Sequence, residues 1–560
     1  MIGRESALST PYQVFLVGVI ATYLSVILHE LGHAVMARLC GFHVTSLGLG
    51  FGGKSLAFSV GRTRVYWTTS RPFQGLTLTF APDLYASRWS YVAMLAGGVI
   101  ANALAAGVCL GLWWNGGPWA SIWGVVAAVN GMLLISILPL RMQVGGLTLL
   151  SDGAQIFERI RGRAEVPAPL IIRNASAWRP HLRAVGDRLG LRVNLVCAGL
   201  ACEELGLTGP AEAALAEAET VPVSDPPAVL QPLERLLRAT IARQSGRFEE
   251  AEIEAELAET DFRELGHEVG LLLASVMRAD LMAIADLPGA LALLEGLRSH
   301  PLLTCRAELR AILQASRLRL LCSCDDAEVV DQACREYEEV RRLSPSDTRE
   351  IGVQWALAQW AERRGDLARA VDAYEAMLKG HASLVKMWAD PADAEEFREA
   401  QAFRLDAAEA CLARAGRSVA DVAPELGSDF SAVVQAREEA HRQRDGLFRK
   451  AGRRLFLVNV AVGASVLGLI LAERTDFFQR PLTPRSIPVS SPQLLGMFLA
   501  AVLLALTAFG GAAVLVVRLL GRGTPSLRRN YGKMVVFWAV FPWMVAVMTL
   551  VMIVVWPPGR

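Results

Sequence analysis

Residues 26–34 read Val26-Ile27-Leu28-His29-Glu30-Leu31-Gly32-His33-Ala34, the middle of an apolar run from about Tyr12 to Leu39. As a helix, such a run crosses the roughly 30 Å of bilayer hydrocarbon at about 1.5 Å per residue. Histidines four apart share one helix face. Both imidazoles can therefore reach one zinc ion, and the Glu between them can act on water at that ion. The chain has 560 residues and 8 His. From its own His and Glu frequencies, a chance HExxH is on the order of one in a hundred. His267-Glu268 begins a second copy, but Leu271 stands where its second His would be. The bland alternative is a pair of structural histidines. It fits poorly here, because clustered ionisable groups are expensive in hydrocarbon and usually mark function. A cleaved signal peptide also fits poorly: Arg4 is followed at once by Glu5, and the apolar run is too long.

A catalytic zinc needs a third protein ligand and an open position. Three residues are candidates at membrane depth. Asp83 follows Pro82 in the loop before the next apolar run, Asp152 lies in Ser151-Asp152-Gly153, and His43 stands across a Gly41 turn from His33.

Further from the motif, the chain divides into apolar ends and a soluble middle. Mean hydropathy is +0.34, with 53% hydrophobic residues and a net charge of +1. This excludes a purely soluble protein, argues against disorder and gives no support for nucleic-acid binding. Six apolar runs are long enough to span: 12–39, 89–114, 119–140, 455–472, 494–517 and 534–556. Trp89, Trp114, Trp119 and Trp556 stand at their ends, where amphipathic rings prefer the headgroup level. Basic residues gather after the first run (Lys54, Arg62, Arg64, Arg71, Arg88), before the fourth (Arg449, Lys450, Arg453, Arg454) and between the last two (Arg518, Arg522, Arg528, Arg529, Lys533). All three sets fall on one side if the N terminus is outside, which makes them and the middle of the chain cytoplasmic. The linker 473–493, with four prolines, then reads as an external loop.

The nine cysteines are scattered with no CxxC pair, which argues against a disulfide scaffold and for a reducing compartment. Cys322, Cys324 and Cys334 are set aside as a metal site because no His stands at finger spacing.

The metal motif resembles that of the site-2 protease family of intramembrane zinc metalloproteases, peptidase family M50. The similarity covers about residues 12–160. Its specific part is HELGH in an apolar span with Ser151-Asp152-Gly153 later in the chain. Val65-Tyr66-Trp67 and Leu76-Thr77-Leu78-Thr79-Phe80 are similar to the family's β segment. Leu95 to Asn102 resembles its AGPxxN helix, with Gly98 in place of the proline. Ser136-Ile137-Leu138-Pro139 stands where the family has NxxP, and an insert, Leu140 to Leu150, separates that proline from Asp152. The resemblance implies that His29, His33 and Asp152 bind Zn2+ and that Glu30 is the general base. It also implies that Asn102 bonds substrate or helps hold an oxyanion; the competing role is a polar helix-packing residue. A substrate helix must unwind to be cut, and an exposed strand edge near Phe73-Gln74-Gly75 is expected to pair with it.

The middle of the chain carries a weak repeat. Gly246-Arg247-Phe248-Glu249-Glu250-Ala251, Ala285 to Ala290 and Gly365 to Ala370 share one shape, and Gly209 to Ala214 and Asp325 to Val330 follow it loosely. Their last positions, 214, 251, 290, 330 and 370, give steps of 37, 39, 40 and 40. This pattern reads as a tetratricopeptide-like solenoid with units longer than the usual period of about 34, and with a groove for a protein partner. Residues 382–425 are poorly patterned. Residues 435–450 read as a charged helix.

The expected fold is an all-α polytopic membrane protein with about six transmembrane helices. It includes a small membrane-associated β-sheet segment and a soluble α-helical repeat domain. The expected domains are a protease-like membrane core at 1–160, a cytoplasmic repeat domain at 161–452 and a three-helix membrane region at 453–560. The expected function is an intramembrane zinc metalloendopeptidase of the lipid bilayer, of bacterial inner-membrane type. Its substrates would be membrane-spanning proteins in regulated proteolysis. A protein partner would dock on the repeats, with no nucleic acid bound. Two rivals stand beside it. One is an inactive protease-like scaffold whose repeats carry the function. The other is a transporter, disfavoured because no inverted repeat is apparent.

Overall fold

The computed structural model describes residues 11–426, apart from 52–53, 71–73, 81–87, 117–118, 138–140, 145–146, 161–166, 325 and 389–390. The described part is mostly helical. The runs expected to span from residue 455 onward, the charged helix at 435–450 and Asp83 lie outside the described residues.

Two helices, α1 (Pro11–Leu39) and α2 (Arg88–Trp114), are each long and apolar enough over Leu16–Leu39 and Trp89–Trp114 to cross a membrane. On α1 the exposed apolar residues Leu16, Ile20, Leu24, Ile27, Leu31 and Val35 recur at three- and four-residue spacing, and Ile100, Leu104 and Val108 do the same on α2. Continuous apolar stripes of this kind are what a helix presents to hydrocarbon. The opposite face of α1 buries Ser25, Glu30 and His33. The two helices cross at Gly32 and Gly97, where a Cβ on either would stand 2.4 Å from the other's carbonyl oxygen. Only glycine allows that approach, and it brings the histidine face of α1 onto α2.

The third apolar run forms a shorter helix, α3 (Ala120–Leu133), followed by a 3-10 turn at Leu134–Ile137. Its 14 residues rise about 21 Å, less than a bilayer core. The run leads to Pro139, and proline disfavours α-helix in the residue before it.

Between α1 and α2 lie β1 (His43–Leu49), β2 (Ser55–Val60), β3 (Thr63–Thr68) and β4 (Gly75–Phe80). They form one sheet in the order β2-β3-β1-β4, with β1 and β3 parallel and the other neighbours antiparallel. β4 is therefore an edge strand. Its side chains alternate as a strand requires. Thr77 and Thr79 reach Glu30 and Met94, while Leu78 and Phe80 join the core of the helices that follow.

The insert before Asp152 is a β-hairpin, β5 (Arg141–Val144) with β6 (Leu147–Leu150). It leads into α4 (Asp152–Ile160), which packs on α2. Arg159 lies 4.2 Å over the Tyr91 ring and ties α4 to α2.

The helical array begins with α5 (Ala168–Val185). Consecutive helices then pack in pairs joined by short turns: α6 (Arg188–Glu204) with α7 (Thr208–Thr220), and α8 (Leu230–Gln244) with α9 (Phe248–Glu264). α10 (Glu268–Met282) pairs with α11 (Leu287–Leu297). After the one-turn α12 (Leu302–Cys305), α13 (Ala307–Leu321) pairs with α14 (Ala327–Leu343), and α15 (Asp347–Arg363) with α16 (Leu367–Val385). The fourth residue of each second helix, at 211, 251, 290, 330 and 370, has 0% exposure. Those positions step by 40, 39, 40 and 40. The first unit's equivalent is thus Ala211 rather than Ala214, and the period is more regular than expected. Turn residues close the units: Asp286 accepts from the Gly289 N–H and Asp366 from the Arg369 N–H, caps that stabilise a helix by about 1 kcal/mol each. Residues 382–425, poorly patterned in sequence, extend α16 and form α17 (Pro391–Ala400) and α18 (Ala402–Arg414).

The array is joined to the sheet. Phe51 stacks on His181 at 4.8 Å between ring centres, and Tyr66 meets the same ring edge-on at 5.0 Å. Arg64 Nε donates to the Val185 carbonyl at 2.8 Å, and Ser55 Oγ to that of Ala184 at 2.8 Å. Arg62 pairs with Asp225.

Candidate metal centre

The α1–α2 crossing brings the two histidines of HELGH together on the buried side. Their Nε2 atoms lie 3.2 Å apart. Asp152, the first residue of α4, follows the hairpin in the chain and joins them. Its Oδ2 is 3.0 Å from His29 Nε2 and 3.6 Å from His33 Nε2. Three donors on one tetrahedral ion with bonds near 2.1 Å stand about 3.4 Å apart. The observed spacing fits that set.

The backs of the imidazoles strengthen the fit. His33 Nδ1 lies 2.9 Å from the Met94 carbonyl, which accepts only from a protonated Nδ1. That leaves Nε2 with its lone pair inward. His29 Nδ1 lies 3.1 Å from Asn102 Nδ2. Asn102 is wholly buried, and its Oδ1 has no hydrogen-bond partner. A half-turn of the amide puts Oδ1 on a protonated Nδ1 and satisfies both groups. Both Nε2 lone pairs then face each other and a carboxylate oxygen, an arrangement that a cation between them satisfies. Outer hydrogen bonds of this kind orient metal-binding imidazoles generally.

Glu30, between the histidines, is 8% exposed, and its ligand atoms lie within 4.8 Å of those of His29 and His33. The Thr77 hydroxyl donates to Glu30 Oε2 at 2.7 Å, so β4 fixes the carboxylate. Two glycines make room. A Cβ at Gly75 would stand 2.3 Å from Glu30 Oε1, and one at Gly98 would stand 2.5 Å from His33 Nε2. Counted back from Asn102, the proline of AGPxxN falls at Val99. Gly98 thus takes the motif's glycine, correcting the alignment drawn from sequence.

His29, His33, Glu30 and Asp152 come together. Asn102 lies against His29, its amide 3.1 Å from Nδ1. His43 opens β1 with its ring stacked near Phe80, and burial and the charges of Arg62 and Arg38 hold its imidazole below the ordinary value. Sequence reasoning missed Thr77, the Met94 carbonyl and the steric need for Gly75 and Gly98. The alternating Leu76-Thr77-Leu78-Thr79 pattern was the available signal for Thr77, since it sets both threonines on one face.

A sequence model described as peptidase family M50 matches residues 17–410 of the chain. That stretch takes in both apolar helices, the histidine–aspartate cluster and nearly the whole helical array. No curated protein and no solved structure matches.

Proposed function

The chain belongs to peptidase family M50, and from that premise we propose that it is an intramembrane zinc endopeptidase acting on membrane-spanning proteins. The observation that carries this reading is the convergence of His29 Nε2, His33 Nε2 and Asp152 Oδ2 within 3.0–3.6 Å, beside Glu30. In this reading these three residues hold the metal and leave a position for substrate. When bound, zinc polarises the scissile carbonyl and lowers the pKa of water towards about 7. Glu30 takes the proton of the attacking water and delivers it to the leaving amine. Thr77 keeps the Glu30 carboxylate aimed while it does so. Asn102 is a positioning residue that holds His29 in the binding tautomer.

A peptide bond within a helix has its carbonyl locked in a backbone bond, so the substrate must be extended before it is cut. The edge position of β4, with Thr77 on Glu30, supports pairing of that stretch with β4. Prolines placed one at a time through residues 74–78 should include at least one that abolishes cleavage and keeps zinc. Unchanged cleavage in all of them would exclude strand pairing.

The helical array is read as tetratricopeptide-like, recruiting a protein partner or regulator of the protease. Its ties to the loop holding Arg62 and Arg64 support a location on that loop's side of the membrane. By the charge bias, that side is the cytoplasm of a bacterial multi-pass protein.

The test compares membrane proteomes of cells carrying the wild-type chain and Glu30→Gln, with zinc content measured on both proteins. A membrane protein that accumulates uncut only with the zinc-loaded variant establishes the protease and identifies its substrate. Identical proteomes and an intact phenotype would leave the scaffold.

A further inference from the structure

We propose that the helical array is built into the catalytic support: its α5 and α6 hold β4 in place, and Phe80 of β4 is a positioning residue that acts on Glu30 through Thr77. The proposal rests on the reading of Glu30 as the general base. It makes the array govern the rate of the cut as well as any capture of substrate.

β4 serves two sides at once. Alternate side chains of a strand point to opposite faces. On one face the Thr77 hydroxyl lies 2.7 Å from Glu30 Oε2 and 3.1 Å from the Glu30 carbonyl. On the other, Phe80 is 5% exposed in one buried cluster with Leu189, Leu191 and Leu195 of α6, and Leu78 packs against that cluster. α6 itself packs on β4 and β1. The fit on the Glu30 side leaves no slack, since even a Cβ at Gly75 would stand 2.3 Å from Glu30 Oε1. A backbone shift that the array permits in β4 therefore reaches the carboxylate directly.

The array in turn is completed by the sheet. The last four carbonyls of a helix have no partner within it. At the end of α5, the Asp187 and Gly186 N–H groups donate to the Leu182 and Arg183 carbonyls at 3.0 and 3.2 Å. The Ala184 and Val185 carbonyls accept from Ser55 Oγ and Arg64 Nε, both at 2.8 Å. Side chains of β2 and β3 thus finish the helix. α5 also packs on β6, which ends at Leu150, just ahead of Asp152. Domains that move independently meet through polar interfaces of the transient type. Here the buried cluster that holds Phe80 continues through α6 and α8 to α16, so sheet and array share one core.

The test uses the full chain in nanodiscs and the membrane protein that accumulates uncut with Glu30→Gln. Phe80→Ala should keep its zinc, lose about tenfold or more in kcat and hold KM within about twofold. Phe80→Leu should recover most of the loss. The double variant Thr77→Val with Phe80→Ala should be as slow as Thr77→Val alone, because both changes free the same carboxylate. Leu294→Ala is the control. It opens a wholly buried position in the separate core of α10 to α13 and should leave kcat unchanged. Amide hydrogen exchange reads the same clamp without a substrate: β4 should exchange about tenfold or more faster in Phe80→Ala, and at the wild-type rate in Leu294→Ala. An unchanged kcat in Phe80→Ala, losses that multiply in the double variant, or wild-type exchange of β4 would each overturn the proposal. A rise in KM alone would overturn it in favour of a recruitment module. A wild-type chain that cuts nothing would remove the protease reading instead, with the exchange result still deciding the clamp.

Discussion

Asn102 Nδ2 lies 3.1 Å from His29 Nδ1, and the whole Asn102 side chain is out of solvent. His33 takes its corresponding support from a backbone carbonyl, Met94, which no substitution removes. The two imidazoles are thus held by partners of different kinds, and only one can be deleted. Asn102→Ala should weaken zinc binding by about 10- to 100-fold, the usual effect of losing an outer partner of a metal-bound histidine. Competition with a chelator measures it. A residue serving an oxyanion would instead lower kcat and leave zinc affinity unchanged.

Thr77 should separate aiming of the base from its chemistry. Its hydroxyl donates to Glu30 Oε2 at 2.7 Å, and a hydrogen bond to a charged group contributes about 1.5–3 kcal/mol. Thr77→Val should retain zinc and lose about tenfold or more in kcat on the substrate trapped by Glu30→Gln. Thr77→Ser should recover most of that loss. Glu30→Gln itself should lose about 10²–10⁴-fold. A Thr77→Val enzyme at full rate would remove β4 from the machinery.

The parts of this molecule legible in sequence are those that periodicity writes locally. The helix spacing of His29 and His33 needs no tertiary contact to put both rings on one face. The alternation in β4 likewise announces a strand. It does not announce that Thr77 meets Glu30, 47 residues earlier, because an alternating strand serves a lipid, solvent or core face equally well. The approach of Asp152 depends on a hairpin that reads only as an insert. The frame of the first repeat was hidden by composition, since α7 carries alanine at 211, 213, 214, 216 and 218. α17 buries too few apolar residues for any period to show.

Gly98 should tolerate no side chain. A Cβ there would stand 2.5 Å from His33 Nε2 and 2.7 Å from His29 Cε1, inside the contact distance of any carbon. Gly98→Ala should cut zinc content at least tenfold, measured by metal analysis of the purified protein. Gly107→Ala on the same helix is the control, because nothing stands within 4 Å of its Cβ. It should keep the metal. Loss of zinc in both variants would assign the effect to α2 as a whole.

Glu203 should make the helical array less stable as pH rises. It is 5% exposed, neither carboxylate oxygen has a hydrogen-bond partner, and burial pushes its carboxyl up to about 7 against the weaker pull of Arg243. The folded chain therefore holds a proton that the unfolded chain releases near the ordinary value of 4.5. Between those values the folded state binds more protons, so stability is greatest below the unfolded value and falls as pH rises through about 7. Buried His381 works in the opposite sense, held down to about 3, so wild-type melting alone does not isolate Glu203. Comparison with Glu203→Gln does, because the amide keeps the shape and cannot ionise. The two proteins should melt together near pH 5. At pH 8 the variant should melt higher by about 5 °C, the shift expected of a couple of kcal/mol in a domain of this size. Far-ultraviolet dichroism of the full chain in detergent measures it. Equal melting at both values would mean that Glu203 is ionised and paired in the folded chain.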